Sequence, residues 1–208
     1  MRTWLRLTLL ASFLPVVAVN SAQAQRRGLV DITPRGDRHG AWIHLGIGAG
    51  DEAFRFANES SWDTSSPTKP AFSLRIGGTV NPYLRLGGEL TGWADTYTDA
   101  ASGERVTEYL GGLLVIGQVY PVRTLGLFVK GGAGLSRSGA NVYGGVGTHE
   151  DGFAWSAGLG YEVRLARGIF LTPTIDYLQH RSESRDGPAL YDRLTTIGVG
   201  FTFQPGRY

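Results

Sequence analysis

From residue 41 onward the chain alternates. Large apolar residues take every second position and small or polar residues fill the places between, in eight segments: 41–50, 69–80, 83–97, 105–120, 125–137, 151–165, 169–181 and 191–203. In 151–165 the odd positions carry Phe153, Trp155, Ala157, Leu159, Tyr161, Val163 and Leu165, and the even positions carry Ala154, Ser156, Gly158, Gly160, Glu162 and Arg164. In 83–95, Leu84, Leu86, Gly88, Leu90 and Ala94 oppose Arg85, Gly87, Glu89, Thr91 and Asp95. In 195–203, Thr195, Ile197, Val199, Phe201 and Phe203 oppose Thr196, Gly198, Gly200 and Thr202. A period of two places such sets on opposite faces of a β-sheet. Segment 105–120 leaves its facing open, because Leu110, Leu113, Leu114, Val115 and Ile116 occupy both parities. Helical periodicity is weak throughout.

The connections alternate as well. Asn81-Pro82, Pro121 to Thr124 and Ala166 to Gly168 read as tight turns, whereas 51–68, 98–104, 138–150 and 182–190 are longer and polar. An antiparallel up-and-down barrel of eight strands with two unlike ends produces this rhythm. A soluble barrel keeps its apolar residues inside. Here the small and charged face suits a narrow filled lumen, since eight strands leave room only for side chains. The bulky face then needs a lipid exterior, and closure satisfies the backbone polar groups that lipid cannot. The expected fold class is therefore all-β, an eight-stranded antiparallel up-and-down transmembrane β-barrel. Aromatics gather near the strand ends, as two interface girdles would require: Trp42, Tyr83, Tyr120, Phe170 and Phe203 toward the short turns, and Trp93, Tyr97, Tyr109, Phe153, Trp155, Tyr177 and Tyr191 toward the long loops.

Composition narrows the class. Glycine numbers 31 among 208 residues, about twice its usual share, and strand glycines permit close packing in a small barrel. There is no cysteine, so disulfides, Cys-ligated zinc and a thiol nucleophile are excluded. Residues 1–24 read as a cleaved secretory signal: Arg2 and Arg6 precede the apolar run Leu7 to Val19, and Ala22-Gln23-Ala24 forms a small-x-small cleavage site. The apolar run is too short to span a bilayer comfortably, since about 20 residues are needed. Without Arg2 and Arg6 the chain holds 18 basic and 18 acidic residues, so the basic face that nucleic acid requires is missing. The organisation expected is a signal peptide at 1–24, a flexible periplasmic arm at 25–40, the barrel at 41–203 and a short tail at 204–208.

These features resemble the small outer-membrane β-barrel proteins of Gram-negative bacteria, the relatives of OmpX and the OmpA transmembrane domain. The signal, the eight alternating segments, the short and long connections and the closing Gly198-Val199-Gly200-Phe201-Thr202-Phe203 carry the resemblance. It implies a monomer in the outer membrane, with outer-membrane lipid, lipopolysaccharide and the barrel-assembly machinery as partners, and an extracellular ligand at the long loops. That machinery reads an aromatic ending the last strand, and Phe203 and Tyr208 both qualify.

Candidate chemistry divides between lumen and rim. His44, Arg75, Glu89, Lys130, Glu162 and Asp176 are expected inside near mid-barrel, with Arg85 and Arg164 nearer the short turns. Opposite charges there, for example Lys130 beside Glu162 and Asp176, are expected to pair, because a buried unpaired charge is costly. His180-Arg181-Ser182 resembles the His-x-Ser motif of outer-membrane lipid A 3-O-deacylases. That resemblance implies Ser182 as nucleophile, His180 as base and Asp192 as the orienting carboxylate. The family's following Asn is replaced by Glu183, and parity turns His180 and Ser182 toward the lumen. Gly46-Ile47-Gly48-Ala49-Gly50 lacks the following helix of a nucleotide loop. Asp95, Asp99, Glu104 and Asp151 lack EF-hand spacing. No metal or cofactor is expected. The reading that results is a non-enzymatic barrel with a structural or surface-interaction role. The alternatives are a lipid A hydrolase, a narrow porin-like pore and a soluble periplasmic barrel.

Overall fold

Each strand pairs antiparallel with the next, and the last returns to the first. The computed structural model describes residues 38–64, 68–100, 102–142, 147–182 and 189–205. Its strands are β1 Ala41–Phe56, β2 Lys69–Asn81, β3 Leu84–Thr98, β4 Arg105–Val119, β5 Leu127–Val142, β6 Thr148–Tyr161, β7 Ile169–Ser182 and β8 Leu190–Phe203. β6 resumes after Glu162 as Val163–Ala166, and Asp63–Thr64 prolongs β2 along the edge of β1. The barrel closes through β1 and β8, from Ile43 opposite Phe203 to Phe56 opposite Leu190. The expected signal peptide, most of the arm and Tyr208 lie outside the described residues.

The strands start and stop close to the alternating segments at the short-turn end but overrun them at the other. β1 continues past Gly50 to Phe56, and β5 and β6 reach Val142 and Thr148. Alternation marks only the part of a strand with unlike surroundings on its two sides. Above the apolar band both sides are polar, water outside and the charged mouth inside, so Asp51 and Glu52 carry no alternation while the backbone ladder runs on. At the other end, the turns are tight. Asn81 Oδ1 accepts from the Tyr83 amide at 2.8 Å, and Gly168 turns with a φ of 71°, a left-handed conformation that glycine adopts without penalty.

The outer face is apolar: Leu45, Ile47, Phe72, Leu113, Val115, Leu135, Phe153, Trp155, Leu159, Ile197, Val199 and Phe201 are all exposed. The register decides the facing of β4. Leu113 and Val115 point out, while Leu110, Leu114 and Ile116 are buried inside with Trp42, Trp93, Ala154, Leu178 and Leu194. The lumen is therefore not uniformly polar, as its small-and-charged strands suggested. Side chains of all kinds fill it, because so narrow a barrel has no space left for a water column.

This corrects the girdle expectation at five positions, among them Phe170, which is buried on the inward parity of β7. Trp42 and Trp93 are 2% exposed and Tyr120 is fully buried. All three stand on the inward parity of their strands, and their rings cover buried cations rather than lipid. Tyr97 shares the inward parity of β3 and reaches over the mouth to donate to Glu108 Oε1 at 2.9 Å. Tyr83, Tyr109, Trp155, Tyr177 and Phe203 stand on the outward side.

Candidate functional site

Three levels of polar side chains cross the lumen. At the short-turn end lies a floor. Arg85, second in β3, donates from Nη1 to Glu162 Oε1 at 2.5 Å and to the Tyr120 hydroxyl at 2.6 Å, and from Nη2 to Gln204 Oε1 at 2.5 Å. Glu162 is delivered by the one-residue break between Tyr161 and Val163. Arg38 enters from before β1 and lies over the Tyr120 ring at 3.8 Å. It donates to Glu162 Oε2 at 3.4 Å and to the carbonyls of Arg123 and Leu125 at 2.9 and 2.7 Å. The arm expected over 25–40 therefore ends in a plug: Arg38 is buried and fixed in the floor.

At mid-barrel four charges form a closed ring. Arg75 Nε meets Glu89 Oε1 at 2.6 Å, and Arg75 Nη2 meets Asp176 Oδ2 at 2.6 Å. Lys130 Nζ lies 2.6 Å from Glu89 Oε2 and 2.9 Å from Asp176 Oδ1. Four strands each supply one residue, and the ring is formally neutral. Lys130 does not pair with Glu162, contrary to expectation. Glu162 sits beside Gly126, its amide donating to the Gly126 carbonyl, and four residues of strand separate it from Lys130, about 13 Å. Just below the ring, His44 Nδ1 contacts Thr202 Oγ1 at 3.0 Å, and Thr202 contacts Thr172 at 2.9 Å. Arg164 keeps the inward parity but is half-buried at the short-turn rim, outside this ring.

The mouth is the third level, above the apolar layer. Lys69 Nζ faces Glu108, Glu52 and Asp95 at 3.3, 3.7 and 3.9 Å and lies 4.0 Å over the Trp93 ring. Across the lumen, His180 Nδ1 contacts Ser136 Oγ at 2.6 Å and Nε2 approaches Ser138 Oγ at 3.5 Å. Ser182 donates to Glu150. Asp192 stands opposite His180 in the β7–β8 register and takes a hydrogen bond from Ser138.

This arrangement does not assemble the triad drawn from the sequence. Ser182 is engaged by Glu150, both imidazole nitrogens of His180 face other serines, and both residues are buried inside the wall. A serine nucleophile needs its base within hydrogen-bond reach and a route for substrate. Sequence reasoning missed Arg38, Lys69, Gln204, Ser136 and Glu150. For Lys69 and Gln204 the signal was available, since each continues the inward parity of its own strand. For Arg38, which precedes any alternation, there was none.

No curated protein sequence is similar enough to this chain to count as a relative. Among solved structures, Neisserial surface protein A is similar at 14% identity with a TM-score of 0.53, covering 78% of this chain and 97% of its own. Ail, the attachment invasion locus protein of Yersinia pestis, is similar at 14% identity with a TM-score of 0.51, covering 79% and 99%. Ail in complex with the heparin analogue sucrose octasulfate is similar at 12% identity with a TM-score of 0.50 over the same shares. At such identities the likeness is one of fold. The model of the outer membrane protein beta-barrel domain matches residues 11–204, nearly the whole chain and all eight closed strands, and the chain belongs to that family.

Proposed function

We propose that this protein is a non-enzymatic outer-membrane barrel, exported through a cleaved signal peptide, whose role is structural or made by contacts of its long loops. The observation that carries this reading is the filled lumen. The floor, the four-charge ring and the mouth cluster follow one another along the axis, with apolar side chains packed around them. A lumen plugged at three levels argues against a pore. The engagement of Ser182 by Glu150 argues against a deacylase. Function in such folds resides in what is grafted onto the scaffold, which leaves the long-loop end. That Ail, on a similar fold, was solved in complex with a heparin analogue supports a ligand-binding role.

The test combines two readouts on the full chain expressed in a Gram-negative host. Planar bilayers holding the purified protein are expected to stay at baseline conductance, and the host's lipid A is expected to keep its acyl chains by mass spectrometry. Discrete conductance steps would replace this reading with a pore. Lipid A lacking one acyl chain, restored by His180→Ala or Ser182→Ala, would replace it with a hydrolase.

A further inference from the structure

Outside the barrel, at the long-loop end, cations and aromatic rings alternate in a row. Arg55 on β1, Tyr191 on β8 and Arg181 on β7 stand abreast, because Arg55 pairs with Tyr191 and Tyr191 with Arg181. Trp62 extends the row on the other side of Arg55, since Asp63, the next residue, pairs with Phe54. The Arg55 guanidinium lies 4.9 Å from the Trp62 ring and 5.2 Å from the Tyr191 ring, and that of Arg181 lies 5.7 Å from Tyr191. Arg193, one outward step lower on β8, covers Trp62 at 4.3 Å. With strands about 4.8 Å apart, the row runs roughly 14 Å around the barrel at one depth.

The position of the row defines its surroundings. Below it the outward positions are apolar and exposed: Leu45 and Ile47 on β1, Ile175 on β7, and Ile197, Val199 and Phe201 on β8. The arginines thus begin where the lipid-facing band ends. Elsewhere on the rim the outward Arg137 is held by Asp151 at 2.6 and 2.9 Å. Among the described residues, by contrast, neither Arg55 nor Arg193 forms a salt bridge, and the buried Arg55 Nε has no hydrogen-bond acceptor. Of the nearby acids, Asp51 accepts from Thr68 and Glu59 from the Phe56 amide. Stacked on their rings, Arg55 and Arg193 keep N–H edges that can fork onto phosphate oxygens.

We propose that this row, Arg55, Arg181 and Arg193 held by Trp62 and Tyr191, binds the phosphate of an anionic lipid in the outer leaflet. The inference rests on the barrel's being embedded with its long loops outward. Its face decides for a lipid over a soluble polyanion: the row looks outward above the apolar band, not over the lumen mouth.

The full chain is inserted in phosphatidylcholine nanodiscs carrying either phosphorylated or dephosphorylated lipid A, and retained lipid A is counted by mass spectrometry after purification. A gel shift on boiling reports the folded barrel in each sample. The wild type is expected to favour the phosphorylated form. R55Q/R181Q/R193Q is expected to lose about tenfold in retention, the order of one charge-assisted hydrogen bond. Arg137→Gln should match the wild type, and R55K/R181K/R193K should recover part of the loss. Equal retention of both lipids, or by the triple Gln variant in its folded form, overturns the proposal and leaves the embedding intact. Displacement of the lipid by millimolar inorganic phosphate overturns the lipid assignment in favour of a free-anion site. Binding of heparin that depends on the three arginines, with lipid retention unchanged, overturns it in favour of a soluble polyanion. A wild type that never inserts overturns the embedding itself.

Discussion

Two ion pairs in this barrel have the same contact length and opposite settings. Arg75 Nε meets Glu89 Oε1 at 2.6 Å with side chains 1% and 0% exposed, and Arg137 Nε meets Asp151 Oδ1 at 2.6 Å with side chains 55% and 63% exposed. The first is inside the lumen, shared with Lys130 and Asp176. The second lies on the outer rim in water. Distance alone does not rank them. Water screens the rim pair, so it contributes little. The buried ring has already been desolvated, so its members depend on one another, and removing one strands the rest. The lesson extends to the floor, where Glu162 serves two arginines at once.

The comparison breaks most visibly if one member of the ring is deleted. Glu89→Ala leaves Arg75 and Lys130 with Asp176 alone, and urea unfolding in lipid vesicles should show a loss of about 3–5 kcal/mol. Trp42→Ala should cost nearly as much, roughly 3 kcal/mol, because its ring fills the lumen over Arg85 and leaves a cavity when removed. Trp155→Ala, on the outward face, should cost less in the same assay, since lipid chains can fill the space. To sharpen the comparison, R75M/E89L/K130M/D176L replaces the whole ring by apolar side chains of similar size. It should unfold within about 1 kcal/mol of the wild type, because a fully removed buried network leaves no unpaired charge. Smallest of all, Asp151→Asn should leave the unfolding midpoint unchanged at 0.15 M salt, about physiological ionic strength. A midpoint shift as large as that of Glu89→Ala would show that the rim pair is not screened.

Much of the barrel was legible because a strand between lipid and lumen must alternate, and residues 151–165 and 195–203 do so cleanly. The inward places of Arg75, Arg85, Glu89, Lys130 and Asp176 follow from the same parity. Pairing does not. Parity assigns a face but no height, so Lys130 was set beside Glu162 although a whole level separates them. Aromatics misled for a related reason. A tryptophan at a strand end suits a membrane interface, yet Trp42 and Trp93 stand on inward parities and cover Arg85 and Lys69. The outward row of Arg55, Tyr191 and Arg181 was invisible because its members come from three strands distant in the chain.

The sequence by itself determined that the chain forms eight membrane-length strands, which face of most strands meets lipid, and which end carries the long connections. These are local consequences of hydropathy with a period of two and of turn chemistry. Only the tertiary structure decided the facing of β4, the partners in each lumen level, the engagement of Ser182 by Glu150 and of His180 by Ser136, and the alignment of arginines with aromatic rings on the rim. Each of those depends on register between strands, and register is set when the sheet closes on itself and every side chain must find a place in one narrow interior.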